Sequence, residues 1–198
     1  MGLLGVTKLK RVVAPYRAIF PTPAALVTTV DVNGNPNVAT AGEVFMISLR
    51  PLIVAVGFRP ATYTNKLIHQ TKEFVVNLPR REILEAVDYC GCVSGRKVNK
   101  FKATGLTPVP AKHVRPPLIE ECPVNIECRV RDTIHFEYMD RDVFAGEALA
   151  IHIDEDILGE DGLPDLTKIE TIAFASQKYY GITDFLEHMH FSIKTVPP

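Results

Sequence analysis

Short apolar runs that end at turn residues dominate the first part of the chain, and this pattern predicts β-strands. The apolar run at residues 24–32 is followed by Asn33-Gly34, a dipeptide that favours a type I′ hairpin turn because both residues tolerate a positive φ. Residues 36–45 then form the second strand of the predicted hairpin. A continuous apolar run at residues 52–58 has the length of a buried strand.

The third predicted strand breaks at Arg59-Pro60 and leads into hydroxyl and amide residues at the start of a short helical pattern. The N–H groups and the positive dipole end of a helix N-terminus attract anions. Arg59, Thr62 and Thr64 add donors of the kind that a phosphate group accepts. The alternative is that Thr62 is only an N-cap and that Arg59 is a solvated strand end.

Two later segments predict further strands. Residues 125–132 alternate, with Ile126 and Cys128 on the apolar side and Glu127 on the other side, so the apolar side is expected to face the core. Residues 142–153 give another strand.

A covering helix and two irregular segments are also predicted. Residues 81–89 carry Ile83, Leu84 and Val87 at helical spacing, with charged residues between them. Residues 104–123 are rich in proline and predict an extended connection, with or without one edge strand.

Length and charge exclude some classes of protein. The chain of 198 residues suits one domain spanning residues 1–198, with an N-terminal lead-in at residues 1–15 and an acidic, turn-rich loop excursion at residues 154–170. Its 22 basic and 23 acidic residues give a net charge of −1, which argues against a nucleic-acid partner. No apolar stretch of about 18 residues and no signal-peptide pattern occur, so we expect no membrane insertion and a cytoplasmic location.

The cysteines and a histidine pair do not predict a metal site. The spacing of the four cysteines differs from that of a zinc knuckle, and no third ligand accompanies His188 and His190. Cys128 is predicted to be an inert core thiol. Cys90 and Cys92 are predicted to lie in a loop beside the anion site, and two alternatives stay open: basic neighbours lower the pKa of one thiol and make it reactive, or both thiols are inert.

The order of several motifs resembles that of the flavin reductase-like family, which includes flavoredoxin-type proteins. The motifs are NVATAG at residues 37–42, SLRP at residues 48–51, RPATYTN at residues 59–65, EFVVN at residues 73–77 and SGRKVNKF at residues 94–101. The resemblance extends from about residue 20 to residue 180. It implies a mainly β fold, an FMN-binding split barrel of the Greek-key type with a few short covering helices.

The same resemblance implies that FMN is bound non-covalently by its phosphate. Residues 37–42 would line the isoalloxazine ring, and the segments at residues 59–65 and 94–100 would hold the phosphate and the ribityl chain. No catalytic side chain is predicted, because the ring itself accepts hydride or single electrons. The cofactor-binding residues predicted in this way are Asn37, Ala39, Thr40, Ala41, Gly42, Phe58, Arg59, Thr62, Thr64, Asn65, Ser94, Lys97, Lys100 and Phe174.

The function expected from the resemblance is that of an FMN-dependent oxidoreductase. It is either an NAD(P)H-driven flavin or acceptor reductase, or a flavoredoxin-like electron carrier that uses a redox protein as donor, and it is expected to be a homodimer with two symmetric sites. Relatives that use a nicotinamide often have a histidine where this chain has Arg141, so a different anionic reductant is an open alternative. The rival interpretation is a non-catalytic split-barrel module that binds haem, another ligand or a partner protein.

Overall fold

The computed structural model describes residues 11–14 and 20–187. Most of the predicted lead-in, and both His188 and His190, therefore lie outside the described residues. The strands, numbered in chain order, are β1 (Thr22–Pro23), β2 (Ala25–Val30), β3 (Pro36–Ala41), β4 (Val44–Leu49), β5 (Leu52–Phe58), β6 (Glu73–Leu78), β7 (Pro108–Val109), β8 (Leu118–Ile119), β9 (Val124–Ile134), β10 (Asp142–Ile153), β11 (Ile172–Ala175) and β12 (Lys178–Gly181). The helices are α1 (Tyr63–Thr71), α2 (Leu84–Cys92), α3 (Lys100–Thr104) and α4 (Leu166–Ile169), with 3₁₀ turns at Arg81–Ile83 and Glu155–Ile157. Within the described ranges, no helix combines the length and the apolar character needed to cross a bilayer.

Seven antiparallel strands form the main sheet, in the order β3-β2-β6-β9-β10-β5-β4. The sheet curls so that β3 comes into contact with β5, and the inward side chains of both ends meet in one core. Val27, Val56, Phe74 and Phe144 are completely buried there. The bounds of β5 and β10 confirm the strands predicted at residues 52–58 and 142–153.

The turn of the β2–β3 hairpin differs from the predicted type I′ turn. Val32 and Asn33 are its central residues, because the Gly34 N–H donates to the Asp31 carbonyl at 3.0 Å. Gly34 has a φ of 85°, whereas Asn33 does not have a positive φ. The Asp31 carboxylate accepts the backbone N–H of Asn33 at 2.9 Å and that of Asn35 at 2.8 Å. These local bonds favour a longer turn that ends in a glycine bulge.

Helices α2 and α3 and strand β11 cover the outer face of β2 and β3. Val87 of α2 and Phe101 of α3 are buried against Leu26 of β2. The helix predicted at residues 81–89 is therefore confirmed. Leu84, which was predicted to face inward, is exposed because it is the first residue of α2, directly after a 3₁₀ turn.

Of the predictions made for the cysteines, one was wrong and another is confirmed. Cys90 lies inside α2 and is buried, not in a loop, and burial raises the pKa of its thiol to about 11 despite the nearby ammonium of Lys100. Of the two cysteines predicted to be near the anion site, only Cys92 is exposed. Cys128 is buried in the barrel core, where burial raises its pKa to about 12.

The outward side of β9 is covered as well, which the alternating pattern did not indicate. The carboxylate of Glu127 is buried and accepts the backbone N–H groups of residues 112–114 at 2.6 to 3.1 Å. His152 Nε2 lies 2.6 Å from it. Burial acts to raise the pKa of Glu127, but these hydrogen bonds together hold it below its usual range. The proline-rich segment at residues 104–123 is thereby pinned over the sheet, and it contains two short strands, β7 and β8.

The acidic segment at residues 154–170 packs more closely than an open loop excursion. It contains a 3₁₀ turn and helix α4, and its Ile157 and Ile169 are completely buried beside β9. Arg80 Nη2 lies 3.1 Å from the Asp156 carboxylate. Apolar contacts and ion pairs thus attach this segment to the barrel.

Candidate functional site

The turn between β5 and α1 is held by its own side chains. The Thr62 hydroxyl donates to the Arg59 carbonyl at 2.9 Å and accepts the Asn65 N–H at 3.3 Å. The N-cap interpretation of Thr62 is therefore confirmed. Arg59 is exposed, with its Nε 3.4 Å from the Asp140 carboxylate.

Asn65 contacts a buried carboxylate. Its Nδ2 donates to the Phe58 carbonyl at 3.1 Å and to Asp142 Oδ2 at 2.7 Å. His69 Nε2 lies 2.9 Å from the same carboxylate oxygen, and His135 Nδ1 lies 2.6 Å from the other. Burial acts to raise the pKa of Asp142, but these three side-chain hydrogen bonds hold it below its usual range. Both amide hydrogens of Asn65 are thus used inside the protein.

A cavity of about 300 Å³ lies between the β2–β3 hairpin, the start of α1 and the loop that precedes α3. Cationic side chains are prominent in its lining, and the Arg96 guanidinium carbon lies 5.7 Å from the centre of the Tyr63 ring, within the range of a cation–π contact. The lining residues are Asn35, Pro36, Asn37, Tyr63, Gly95, Arg96, Lys97, Val98, Asn99 and Lys100.

The amide of Asn37 is the most informative polar group in this cavity. Its Nδ2 donates to the hydroxyls of Thr29 and Thr64, each at 3.1 Å. Its Oδ1 is buried and has no hydrogen-bond partner within the described residues. Because a hydroxyl both donates and accepts, a half-turn of this amide would keep both threonine bonds and leave its NH₂ group unpaired instead. In either orientation, one polar atom of Asn37 lacks a hydrogen-bond partner among the described residues.

Gly95 lets the loop before α3 approach this amide closely. A methyl group at Gly95 would lie 2.0 Å from Asn37 Oδ1 and 3.2 Å from a ring carbon of Tyr63. Any other residue would therefore displace the amide or the loop. The cavity depends on glycine here because of a close approach between two segments.

Lys100 brings a buried positive charge to the same cavity. Its side chain is almost completely buried, and Nζ donates to the Cys90 carbonyl at 2.7 Å. Burial lowers the pKa of Lys100, while the nearby thiols of Cys90 and Cys92 act in the opposite direction. No carboxylate lies within ion-pair distance of Lys100 in the part of the chain that the structure describes. A buried ammonium without a counter-ion favours an anionic ligand.

A row of small residues forms one end of the main sheet. Strand β3 is the terminal strand, so no other described strand pairs with its outer edge. Ala39 and Ala41 face the core, and a methyl group at Gly42 would lie 3.8 Å from a ring carbon of Phe174. The Thr40 hydroxyl points to α2 and donates to a backbone carbonyl there. The edge of β3 can thus offer its backbone groups, with an aromatic ring nearby.

Charged residues from three loops form a chain of ion pairs. Arg141 lies 2.9 Å from the Glu43 carboxylate and 2.6 Å from that of Asp140, which also pairs with Arg59. Hydrogen bonding to Arg141 holds the pKa of Asp140 below its usual range. An anionic reductant would therefore have to compete with two carboxylates for Arg141.

Most of the predicted site residues fall into three sets in the structure, and the other three residues lie elsewhere. Phe58 has its side chain in the barrel core, Thr40 faces α2, and Ser94 is exposed, with its hydroxyl accepting the Arg96 N–H at 3.4 Å. The three sets are Asn37, Thr64, Lys97 and Lys100 at or beside the cavity, Ala39, Ala41, Gly42 and Phe174 near the edge of β3, and Arg59, Thr62 and Asn65 at the β5–α1 turn.

Tyr63 and Gly95 both line the cavity, although neither is among the site residues predicted from the sequence. The sequence does contain a signal for Gly95, because a glycine between Ser94 and a run of cations indicates a close backbone approach. Tyr63 had none, because its contact with Arg96 joins segments that are far apart in the chain.

Comparisons of the sequence and the fold relate this chain to known proteins. A family model described as a flavin reductase like domain matches residues 16–183. The flavoredoxin of Desulfovibrio vulgaris (Miyazaki F) is 34% identical, with a TM-score of 0.87 over 93% of this chain and 99% of that one. A flavoredoxin from Methanosarcina acetivorans is 28% identical, with a TM-score of 0.84 over 94% and 98% of the two chains. An uncharacterized protein from Archaeoglobus fulgidus is 40% identical over 131 residues, 66% of this chain and 72% of the relative. The predicted mainly β split-barrel fold is thereby confirmed.

Proposed function

The chain belongs to the flavin reductase-like family, and on that premise we propose that it binds FMN non-covalently and acts as an FMN-dependent electron-transfer oxidoreductase. The observation that carries the proposal is the cavity beside α1, where a buried ammonium without a carboxylate partner and a buried amide with an unused polar atom lie together. These groups are suited to an anionic ligand that also has hydroxyl groups.

The phosphate of FMN is assigned to the cationic side of this cavity. A phosphate monoester carries close to two negative charges at neutral pH and accepts several charge-assisted hydrogen bonds. Arg96, Lys97 and Lys100 supply the positive charge. Ser94, at the start of the same loop, is a further proposed contact. Asn37 would donate to the phosphate or accept from a ribityl hydroxyl, according to the orientation of its amide.

The isoalloxazine ring is assigned to the outer edge of β3. When bound, this ring supplies the redox chemistry, since it accepts hydride or single electrons. The backbone groups from Ala39 to Gly42 would orient its polar edge, and Phe174 would exclude water from one side. Thr40 contributes its backbone only, because its hydroxyl is bound to α2.

All but one of the remaining predicted residues are assigned to the shape of the site. Thr62 and Asn65 fix the turn through bonds within the protein, and Phe58 packs in the core behind it. Thr64 holds the amide of Asn37 in place. Arg59, at the exposed end of β5, is a further proposed contact of the ligand.

A homodimer is proposed on the basis of β4. This strand ends the main sheet opposite β3, and four of its large apolar side chains are exposed, namely Phe45, Met46, Ile47 and Leu49. An apolar edge strand normally requires a cover, and a second copy of the chain would provide one. The proposed electron donor is NAD(P)H or a redox protein. The proposed compartment is the cytoplasm, in keeping with four cysteines that are all thiols.

Titration of the purified protein with FMN tests this proposal. We expect saturable binding followed by flavin fluorescence, and weaker binding of riboflavin, which lacks the phosphate. Lys97→Ala should weaken FMN binding and leave riboflavin binding unchanged, whereas Lys102→Ala is the matched control because Lys102 is exposed and lies outside the cavity. The absence of binding at excess FMN would refute the proposal. Anaerobic mixing of the FMN complex with NADH, NADPH and a reduced ferredoxin in turn identifies the donor.

A further inference from the structure

Asp142 is a buried carboxylate where three separate parts of the chain meet. It is the first residue of β10, and both of its oxygens are occupied. One oxygen accepts from Asn65 and faces His69, both on α1, and the other faces His135, just after β9. No step of the proposed electron transfer uses this cluster.

We propose that Asp142 is a positioning residue for the cofactor site, which it sets through Asn65. The inference rests on the proposed function, because it concerns the affinity of the same site for FMN. The side-chain amide of Asn65 donates one hydrogen bond to Asp142 and one to the carbonyl of Phe58, the last residue of β5. It therefore ties the end of β5 and the first turn of α1 to β10.

The hydrogen bonds of Asn65 affect the cavity through the preceding residue, Thr64. Thr64 precedes Asn65 in the first turn of α1, and its hydroxyl contacts the amide of Asn37 at 3.1 Å. If Asn65 is released, the first turn can rotate, and Thr64 no longer holds Asn37 facing the cavity. Binding sites lose affinity when the residues that support their contacts are loosened.

The surroundings of Asp142 make it a rigid anchor. His69 packs edge-on against Phe144 with a ring distance of 4.9 Å, and its Nε2 is fixed on the carboxylate. His135 holds the second oxygen from the opposite side. The neighbouring Arg141 pairs with Glu43 and Asp140, so its charge is already compensated.

The test compares FMN affinity and unfolding in the full chain with substitutions at Asp142. Asp142→Ala should weaken FMN binding about tenfold, through the loss of a hydrogen bond to a charged group. Asp142→Asn should restore most of the affinity, because an amide oxygen can still accept from Asn65, and its NH₂ can donate to His135 in the other tautomer. Asn65→Ala should match Asp142→Ala, and the double variant should be no weaker than either.

Glu127→Ala is the matched control. Glu127 is also a buried carboxylate bonded to a histidine. Its partner on the neighbouring strand is Ala150, which lies eight residues along β10 from Asp142. At ~3.3 Å per residue, this separation along the strand is roughly 26 Å. This variant should lower the denaturation midpoint of the apoprotein without changing FMN affinity.

The outcomes separate the two proposals. FMN binding by the wild type with unchanged affinity in Asp142→Ala would overturn the positioning role alone, as would an equal loss in Glu127→Ala. A wild type that does not bind FMN would overturn both. If Asp142→Ala does not fold, Asn65→Ala decides the matter, since it removes the same hydrogen bond and leaves the carboxylate with both histidines. About tenfold weaker binding is expected, and unchanged binding overturns the inference.

Discussion

Gly95→Ala is the substitution whose effect follows most directly from the structure. The added methyl group would lie 2.0 Å from Asn37 Oδ1, 3.0 Å from its Cγ and 3.2 Å from a ring carbon of Tyr63. Carbon and oxygen atoms need a separation of more than 3 Å, so the Asn37 amide has to move by more than 1 Å. The amide is buried and held by two hydrogen bonds, so it cannot move without breaking them.

The magnitude comes from those two bonds. Each neutral hydrogen bond contributes ~0.5–1.5 kcal/mol net, so the loss of both bonds lowers the free energy of unfolding by ~1–3 kcal/mol. Overpacking of a tightly packed site gives a loss in the same range, ~1–3 kcal/mol. FMN affinity should fall by at least tenfold, because the displaced amide would fill the space proposed for the ligand.

Urea denaturation of the apoprotein and FMN titration measure the two effects separately. Gly181→Ala is the matched control, since a methyl group at Gly181 in β12 would have its nearest neighbour at an ordinary 3.8 Å. It should leave both the denaturation midpoint and the FMN affinity unchanged. If Gly95→Ala behaved like the control in both measurements, Asn37 would not lie against this loop, and the geometry of the cavity would be wrong.

Other substitutions and reagents test further parts of the structure. Thr64→Val removes a hydroxyl that supports the cavity through one neutral hydrogen bond, and it should weaken FMN binding by ~0.5–1.5 kcal/mol; unchanged affinity would remove Thr64 from the site. Folding lowers the pKa of Glu127, so the ionised carboxylate stabilises the folded state fully above its ordinary pKa of about 4.5, and this stabilisation is lost as the pH falls further. In Glu127→Gln, the free energy of unfolding measured by denaturation should therefore depend less on pH in the acid range. A thiol reagent should label exposed Cys92 in the native protein and buried Cys90 only after unfolding, as mass spectrometry would show. Phe45→Asp should convert the proposed dimer into a monomer in light scattering, and an unchanged dimer mass would place the interface elsewhere.

Local patterns predicted the elements whose causes are local. The strand β5 is an unbroken apolar run, and the helix after it begins at a threonine that caps it, so both features can be predicted from neighbouring residues. The hairpin turn was mispredicted although its signal is also local. The carboxylate of Asp31 bonds to two backbone N–H groups and stabilises a different turn from the one that Asn33-Gly34 favours alone.

The parts that could not be predicted depend on contacts between distant segments. Glu127 has the sequence pattern of a solvent-facing strand residue, but the proline-rich segment folds over it and supplies three N–H donors. Asn65 was predicted to face a phosphate, whereas its amide hydrogens are used by Phe58 and by Asp142, which is 77 residues away in the chain. Hydrophobic periodicity contains no information on such pairings. The segments of the candidate site were predicted, but the direction of its side chains was not.

The position of β4 determines how the protein should behave at low concentration. Dissociation of the proposed dimer would leave an unpaired strand edge with large apolar side chains on both of its faces in contact with water. Dilute samples should therefore adsorb to vessel walls and lose material over time, and a carrier protein or a mild detergent should prevent that loss. Rates measured with nanomolar protein should fall more steeply than the dilution itself.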